Sequence, residues 1–351
     1  MTWVFAALFG IMGAVLVLPF AVKRVEEELE IFLLAMGAAA VTVSGQWSRH
    51  LLLETLHEPV QISLAVLVFG LVFRLIRGWI RRSVAGAARR TGLAAFLFVL
   101  VAGLGLISSA VTAIIAALIL VEVISGLKLP RAHEIRVVVV ACFSIGLGAA
   151  LTPLGEPLST IAISKLAGPP HEARFFFLAE LLGAWVVPGV LALAALAATQ
   201  GRKLAAHGQG LTDEEPESYG DIFFRTVKVY AFVAALVLLS TGLTPIVDRY
   251  VLGTPRTVLY WVNSISAVLD NATLAAAEIS PRMEAADVQF LLMGLLIAGG
   301  MLIPGNIPNI VCAGKLGIKS GEWAKVGVPL GAAMMMIYFV LLSLAGTPAS
   351  P

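Results

Sequence analysis

The stretch Trp261-Val-Asn-Ser-Ile-Ser-Ala-Val-Leu-Asp-Asn-Ala-Thr-Leu-Ala-Ala-Ala-Glu278 is apolar enough to lie in a bilayer. Yet Asn263, Ser264, Ser266, Asp270, Asn271 and Thr273 fall within eleven residues of it. A carboxylate at membrane depth costs at least ~2.5–3.5 kcal/mol on insertion scales. A chain keeps such a group where it binds a cation, carries a proton or pairs with a neighbour. Asp270 and Asn271 are therefore the first candidates, as a cation ligand and proton carrier. The competing role for Asp270 is a helix cap at a hairpin. Ser264, Ser266, Thr273 and Asn263 offer neutral oxygens, the ligands that small hard cations prefer.

A second constellation is Thr152-Pro-Leu-Gly-Glu-Pro157. Burial would disfavour the charge on Glu156, and a bound cation would restore it. That opposition lets one carboxylate, here a second proton carrier, exchange a proton for an ion. Its bland alternative is a cap on a helix beginning near Leu158, in a loop close to water. Thr152, Ser159 and Thr160 are the nearby oxygens. Asn306 occupies the matching place in Pro304-Gly-Asn-Ile-Pro-Asn309, and Asn309 follows one turn on. These two amides would be ligands or clamps for unwound backbone. Glu122, Glu180 and Glu278 sit near expected helix ends, where a carboxylate reaches water. No His/Glu or Cys/His spacing suggests zinc, and no Ser/His/Asp set lies in the apolar stretches. The reading is therefore not an enzyme, with no cofactor beyond Na⁺ and H⁺ as transported ions. Cys142 and Cys312 both lie in apolar stretches, as small core residues.

The frame around these residues is set by composition. Of 351 residues, 59% are hydrophobic and 13% charged, against ~25% charged in a typical soluble domain. Mean hydropathy is +0.94. Apolar runs far longer than a barrel strand call for helices, because lipid leaves unpaired backbone groups no partner. The fold class is all-α, a polytopic membrane protein. Residues 1–92 form N-terminal scaffold spans, including Thr2–Phe20, Ile31–Ser44 and Pro59–Phe73, with a surface helix expected over Gln46–Glu58. Residues 93–200 form a first core: Leu93–Ile124 as a hairpin interrupted at Ser108-Ser109, then Glu134–Lys165 as a span broken by its prolines and glycine, then the long span Phe175–Ala198. Residues 201–222 are a polar linker. Residues 223–351 repeat the plan, with the span Phe223–Leu243, the hairpin Thr257–Ile279, the broken span Asp287–Leu316 and the final span Val326–Leu344.

Arginine and lysine set the orientation. With both hairpins re-entrant and the N-terminus outside, the cytoplasmic loops hold 18 basic residues and the outside segments 6. Both termini are then outside, in a multi-pass protein of the cell inner (plasma) membrane, and the linker is cytoplasmic. The six arginines at 74–90 hold that topology and meet anionic lipid. Their placement argues for a lipid partner and none for nucleic acid. Ser109-Ala-Val111 matches Ser266-Ala-Val268, and Gly155-Glu-Pro-Leu-Ser159 matches Gly305-Asn-Ile-Pro-Asn309 in spacing. On this path the two halves are inverted repeats, a plan common in secondary transporters.

At these residues the chain resembles the ion-transporter superfamily, which includes NhaD-type sodium/proton antiporters, arsenite permeases and dicarboxylate carriers. The likeness rests on Ser266-Ala-Val-Leu-Asp-Asn-Ala-Thr-Leu274, on Gly146-Leu-Gly-Ala-Ala-Leu-Thr-Pro-Leu-Gly-Glu-Pro157, on Gly299-Gly-Met-Leu-Ile-Pro-Gly-Asn-Ile-Pro-Asn309 and on the loop Gly317–Pro329. It covers most of residues 93–346. Within the superfamily the chain is most similar to an uncharacterised family described as cation transporters. The resemblance implies re-entrant hairpins, inverted repeats, a homodimer, and a substrate-carrying domain moving against a scaffold. It also implies that Asp270, Asn271, Glu156, Asn306 and Asn309 border the site. The first hairpin departs from the pattern, with Ser-Ser-Ala-Val-Thr where relatives carry a Ser-Asn-Thr-like tip. The expected function is exchange of a small monovalent cation, Na⁺ first, for H⁺ by alternating access. The alternative is an anion permease for a dicarboxylate or arsenite, Na⁺-coupled or not.

Overall fold

The structure is a computed structural model that describes residues 2–206, 219–250, 254–267 and 271–345. Helices, short 3₁₀ turns and loops make up all of the described residues. The first helices are α1 (Thr2–Ala21), α2 (Lys23–Glu27), α3 (Leu29–Ser44), α4 (Arg49–Thr91), α5 (Leu93–Val111) and α6 (Ala113–Leu127). They are followed by α7 (Arg131–Ala149), α8 (Pro157–Leu166), α9 (Phe177–Ala206) and α10 (Tyr219–Tyr250). The last five are α11 (Arg256–Val262), α12 (Asn271–Glu278), α13 (Ala285–Gly299), α14 (Ile307–Leu316) and α15 (Ser320–Ala345). Among the described residues, six helices are long and apolar enough to cross a membrane: α4 over Arg49–Val68, α5, α7, α9, α10 and α15.

Burial divides these helices by role. In α7 every residue from Val137 to Ala149 is buried, and in α13 only Ala285 and Asp287 are not. These two are apolar all round, as helices enclosed by others must be. By contrast α15 leaves Ile337, Val340, Leu341 and Leu344 exposed. That outward apolar face is what a lipid-contacting helix presents.

α7 packs against α5 and α9, and α3 packs against α10. The α5–α7 crossing is backbone on backbone. A Cβ at Gly148 would lie 1.7 Å from the Gly105 carbonyl oxygen. Two buried hydroxyls stitch the same crossing: Ser108 donates to Ile145 O (3.1 Å) and Ser144 to Val101 O (3.0 Å). Small residues with hydroxyl donors suit helices that meet in an apolar medium.

Two expectations change. The stretch 46–92 is not a surface helix, a span and an arginine loop. It is one helix of 43 residues, α4. Arg, Ala and Leu are strong helix formers, and no proline lies between Pro59 and Gly92, so the arginine segment continues the helix. The interruption in 93–127 falls at Thr112 rather than Ser108-Ser109. Thr112 takes a left-handed φ of 79° between α5 and α6. Its hydroxyl accepts from Ile115 N–H (3.4 Å), and the next N–H, of Ala113, donates to Gly155 O (2.9 Å). A non-glycine held there costs about 1–3 kcal/mol, which the surrounding bonds must offset. α5 and α6 pack against each other across this residue.

Candidate functional site

The site is built on two helix breaks of one design. α7 ends at Ala149 and α8 starts at Pro157; α13 ends at Gly299 and α14 starts at Ile307. Pro153, Gly155, Pro304 and Gly305 make regular helix impossible between them. Pro157 and Pro308 fall in the first turn of the resuming helices, where a missing N–H costs nothing. The capping residues are Glu156 (φ −157°, ψ 159°) and Asn306 (φ −155°, ψ 146°), both extended. Three residues later Ser159 and Asn309 reach back to the helix just ended. Ser159 Oγ donates to Ala149 O (3.5 Å), and Asn309 Nδ2 donates to Gly299 O (2.8 Å) and Leu302 O (2.9 Å). Each break thus satisfies the last carbonyl of its first half with a side chain from its second half.

The first break is tied to the turn between α5 and α6. Thr152 donates to Ser109 O and accepts from Leu154 N–H. Its hydroxyl therefore acts as a staple between the two segments. The second break is clamped by α15, where the fully buried Trp323 donates from Nε1 to Gly300 O (3.2 Å).

The two breaks meet around α7. A Cβ at Gly146 would lie 2.7 Å from Asn306 Nδ2, so the Asn306 amide lies on bare α7 backbone. Gly300 packs on the Phe143 ring, and Cys142 Sγ donates to Pro308 O (3.7 Å). Both cysteines are buried and free. Asn271, at the start of α12, lies over the end of α13. A Cβ at Gly299 would lie 2.5 Å from Asn271 Nδ2 and 2.9 Å from Gly305 O. Neither amide atom of Asn271, nor Asn309 Oδ1, has a hydrogen-bond partner among the described residues. Buried polar groups left in this state are expensive and call for a partner such as water or an ion.

Of the residues singled out in sequence, the structure gathers Asn271, Asn306 and Asn309 at the second break, and Glu156, Ser159 and Thr152 at the first. Glu156, Asn306, Asn309, Ser159 and Asn271 are all buried. Asp270 lies outside the described residues, as do the side chains of Ser266 and Thr273. Ser264 is exposed and Asn263 fully buried. Glu180 is exposed, as expected. Glu122 is only partly exposed and pairs with Lys315 of α14. Glu278 does not reach water, at 5% exposure. A signal for Glu278 was in the sequence: Asn271, Leu274 or Ala275, and Glu278 recur at helical spacing and share one face. Those neighbours are buried, and the proximity of a helix end misled.

The buried set contains one carboxylate and several amides, and no lysine or arginine among its members. Its helix halves present carbonyl ends, which suit a cation, and N–H ends, which suit an anion, while the carboxylate and amide oxygens are ligands of the kind hard cations take. Comparison with curated proteins finds none that matches this chain. Among protein families, the chain matches one over residues 5–345, a span that takes in both breaks and every buried residue named above, and it belongs to that family, described as a protein of unknown function (DUF1646).

Proposed function

We propose that this protein is a secondary transporter that exchanges a small monovalent cation, Na⁺ first, for H⁺. One observation carries the reading: two matched helix breaks, capped by Glu156 and Asn306, bury oxygen ligands against the same central helix. Half-helices meeting in this way are how transporters bring backbone ends to an ion without exposing them to lipid. In this reading the halves are inverted repeats. α5–α6 and residues 256–278 are re-entrant hairpins, and the termini lie outside the plasma membrane. Asp270, next in the chain to the buried Asn271, is the main ion and proton carrier. Glu156 assists it, and Asn271, Asn306 and Asn309 complete the oxygen set. The transporter works as a homodimer, each copy carrying its own site.

The test is transport in proteoliposomes. A Na⁺ gradient should drive proton movement in the wild type. Asp270→Asn should abolish it, and Glu156→Gln should raise the Na⁺ concentration for half-maximal rate about tenfold. Normal exchange by Asp270→Asn removes that residue from the mechanism. Absence of proton movement with Li⁺, Na⁺ and K⁺, together with uptake of labelled succinate or arsenite, replaces the exchange reading with an anion carrier.

A further inference from the structure

Glu278 takes no part in the two breaks. It ends α12, is 5% exposed, and neither carboxyl oxygen makes a well-aligned hydrogen bond among the described residues. The Asn263 carboxamide adjoins it. Asn263 is fully buried; its Nδ2 donates to Leu291 O (3.4 Å), and its Oδ1 has no partner among the described residues. Two buried groups from different segments therefore converge, and each carries oxygen without a well-aligned partner among the described residues.

The described charged groups on the elements packed against α12 have other partners than the Glu278 carboxylate. Lys165 of α8 donates to Ala276 O, and Asp287 of α13 pairs with Arg256. On α10, Lys228 pairs with Glu30, and Arg249 stacks on Phe5 and Tyr250. Glu284, which caps α13, is exposed. Among the described residues an ionised Glu278 would thus have no countercharge and only the Asn263 amide as a donor, too little to replace the water a buried carboxylate gives up. Two chemical states resolve it: a proton on the carboxyl, or a cation bound by it.

We propose that Glu278 and Asn263 form a second cation site, in which a proton on Glu278 exchanges one for one with a small monovalent cation. As the cation settles between the carboxylate and Asn263 Oδ1, the carboxyl proton leaves to water, and the charge of the site is unchanged. The donor set is all oxygen, as hard alkali cations require. α12 has eight residues, so Glu278 stands roughly 10 Å along the helix axis from Asn271. A cation released from the second break would meet Glu278 at the far end of the same helix. That coupling role rests on the exchange reading above; the ligand set rests on burial and missing partners alone.

The experiment uses the full chain in proteoliposomes, treated with dicyclohexylcarbodiimide, which adds to protonated carboxyls in apolar surroundings. Peptide mass spectrometry measures the adduct on Glu278 at fixed pH, with Na⁺ titrated against choline. The adduct should form in choline and fall as Na⁺ rises. Asn263→Ala should keep the adduct in choline and raise the protecting Na⁺ concentration about tenfold. Glu278→Gln, eluting as the wild type does on gel filtration, should lose the adduct at that position. An adduct that ignores Na⁺, or none at Glu278 under any condition, overturns the site. Na⁺-protected labelling without Na⁺-driven proton movement refutes the exchange reading and keeps the site. Intact exchange with Na⁺-indifferent labelling refutes the site alone.

Discussion

Asn309 and Ser159 do the same job with different strength. Each closes its break by donating to the last carbonyl of the preceding half-helix, but Asn309 makes two bonds of normal length where Ser159 makes one long one. Removing a donor from a buried carbonyl costs about 1–3 kcal/mol. Asn309→Ala should therefore lower the unfolding temperature in detergent clearly more than Ser159→Ala, with the loss near the top of that range. A larger loss for Ser159→Ala would mean the Asn309 amide serves a ligand rather than the fold. Asn271 is the opposite case. Its amide makes no bond among the described residues, so Asn271→Ala should leave stability within about 1 kcal/mol while changing cation dependence. The residue scale thus separates clamps from ligands by what each amide already holds.

Helix contacts carry the next set of expectations. Gly148 lets α7 lie on α5 with no side chain between the backbones. Gly148→Ala forces the helices apart and should cost about 1–3 kcal/mol or prevent insertion. Gly314 in α14 has nothing within 4 Å of its Cβ position. Gly314→Ala should stabilise by up to about 1 kcal/mol, since alanine is the better helix former. The two substitutions together, read by thermal unfolding in detergent, check whether the α5–α7 crossing is as tight as described. Between α6 and α14, Glu122 and Lys315 form an ion pair whose side chains are 13% and 7% exposed. Lys315→Met leaves Glu122 with a buried charge and should destabilise by about 3–5 kcal/mol, whereas the double change with Glu122→Gln should recover most of the loss. A double variant no better than the single would show that Lys315 acts through other contacts.

At the scale of the whole molecule, the proposed orientation makes a labelling pattern. In a chain whose native cysteines are buried, Arg282→Cys should react with a membrane-impermeant maleimide from outside the cell, and Gln209→Cys only from the cytoplasmic side. Arg282 is exposed, in the turn between α12 and α13. Reaction of both from one side would cancel the inverted path and with it the crossing of the broken helices. The extended α4 bears on the same question. Its 43 residues reach about 64 Å at ~1.5 Å each, twice a bilayer core of ~30 Å. In the proposed orientation the arginine segment leaves the membrane as helix and carries its basic charge with it.

The helical class, most of the apolar helices and both breaks were legible in the sequence alone. Hydropathy is a property of composition, and proline and glycine act on their own backbone, so each is local and readable without a fold. The sequence also marked Glu156, Asn271, Asn306 and Asn309, because polar residues inside apolar runs are conspicuous in any order of packing. Only the tertiary structure decided what those polar groups face. Thr152 staples the first break because Ser109 O, far away in the chain, comes within reach of its hydroxyl. Glu122 found Lys315 across the α6–α14 contact, and Glu278 was enclosed beside Asn263. A carboxylate's role depends on the donors, charges and water around it, and those are supplied by segments that no local pattern names.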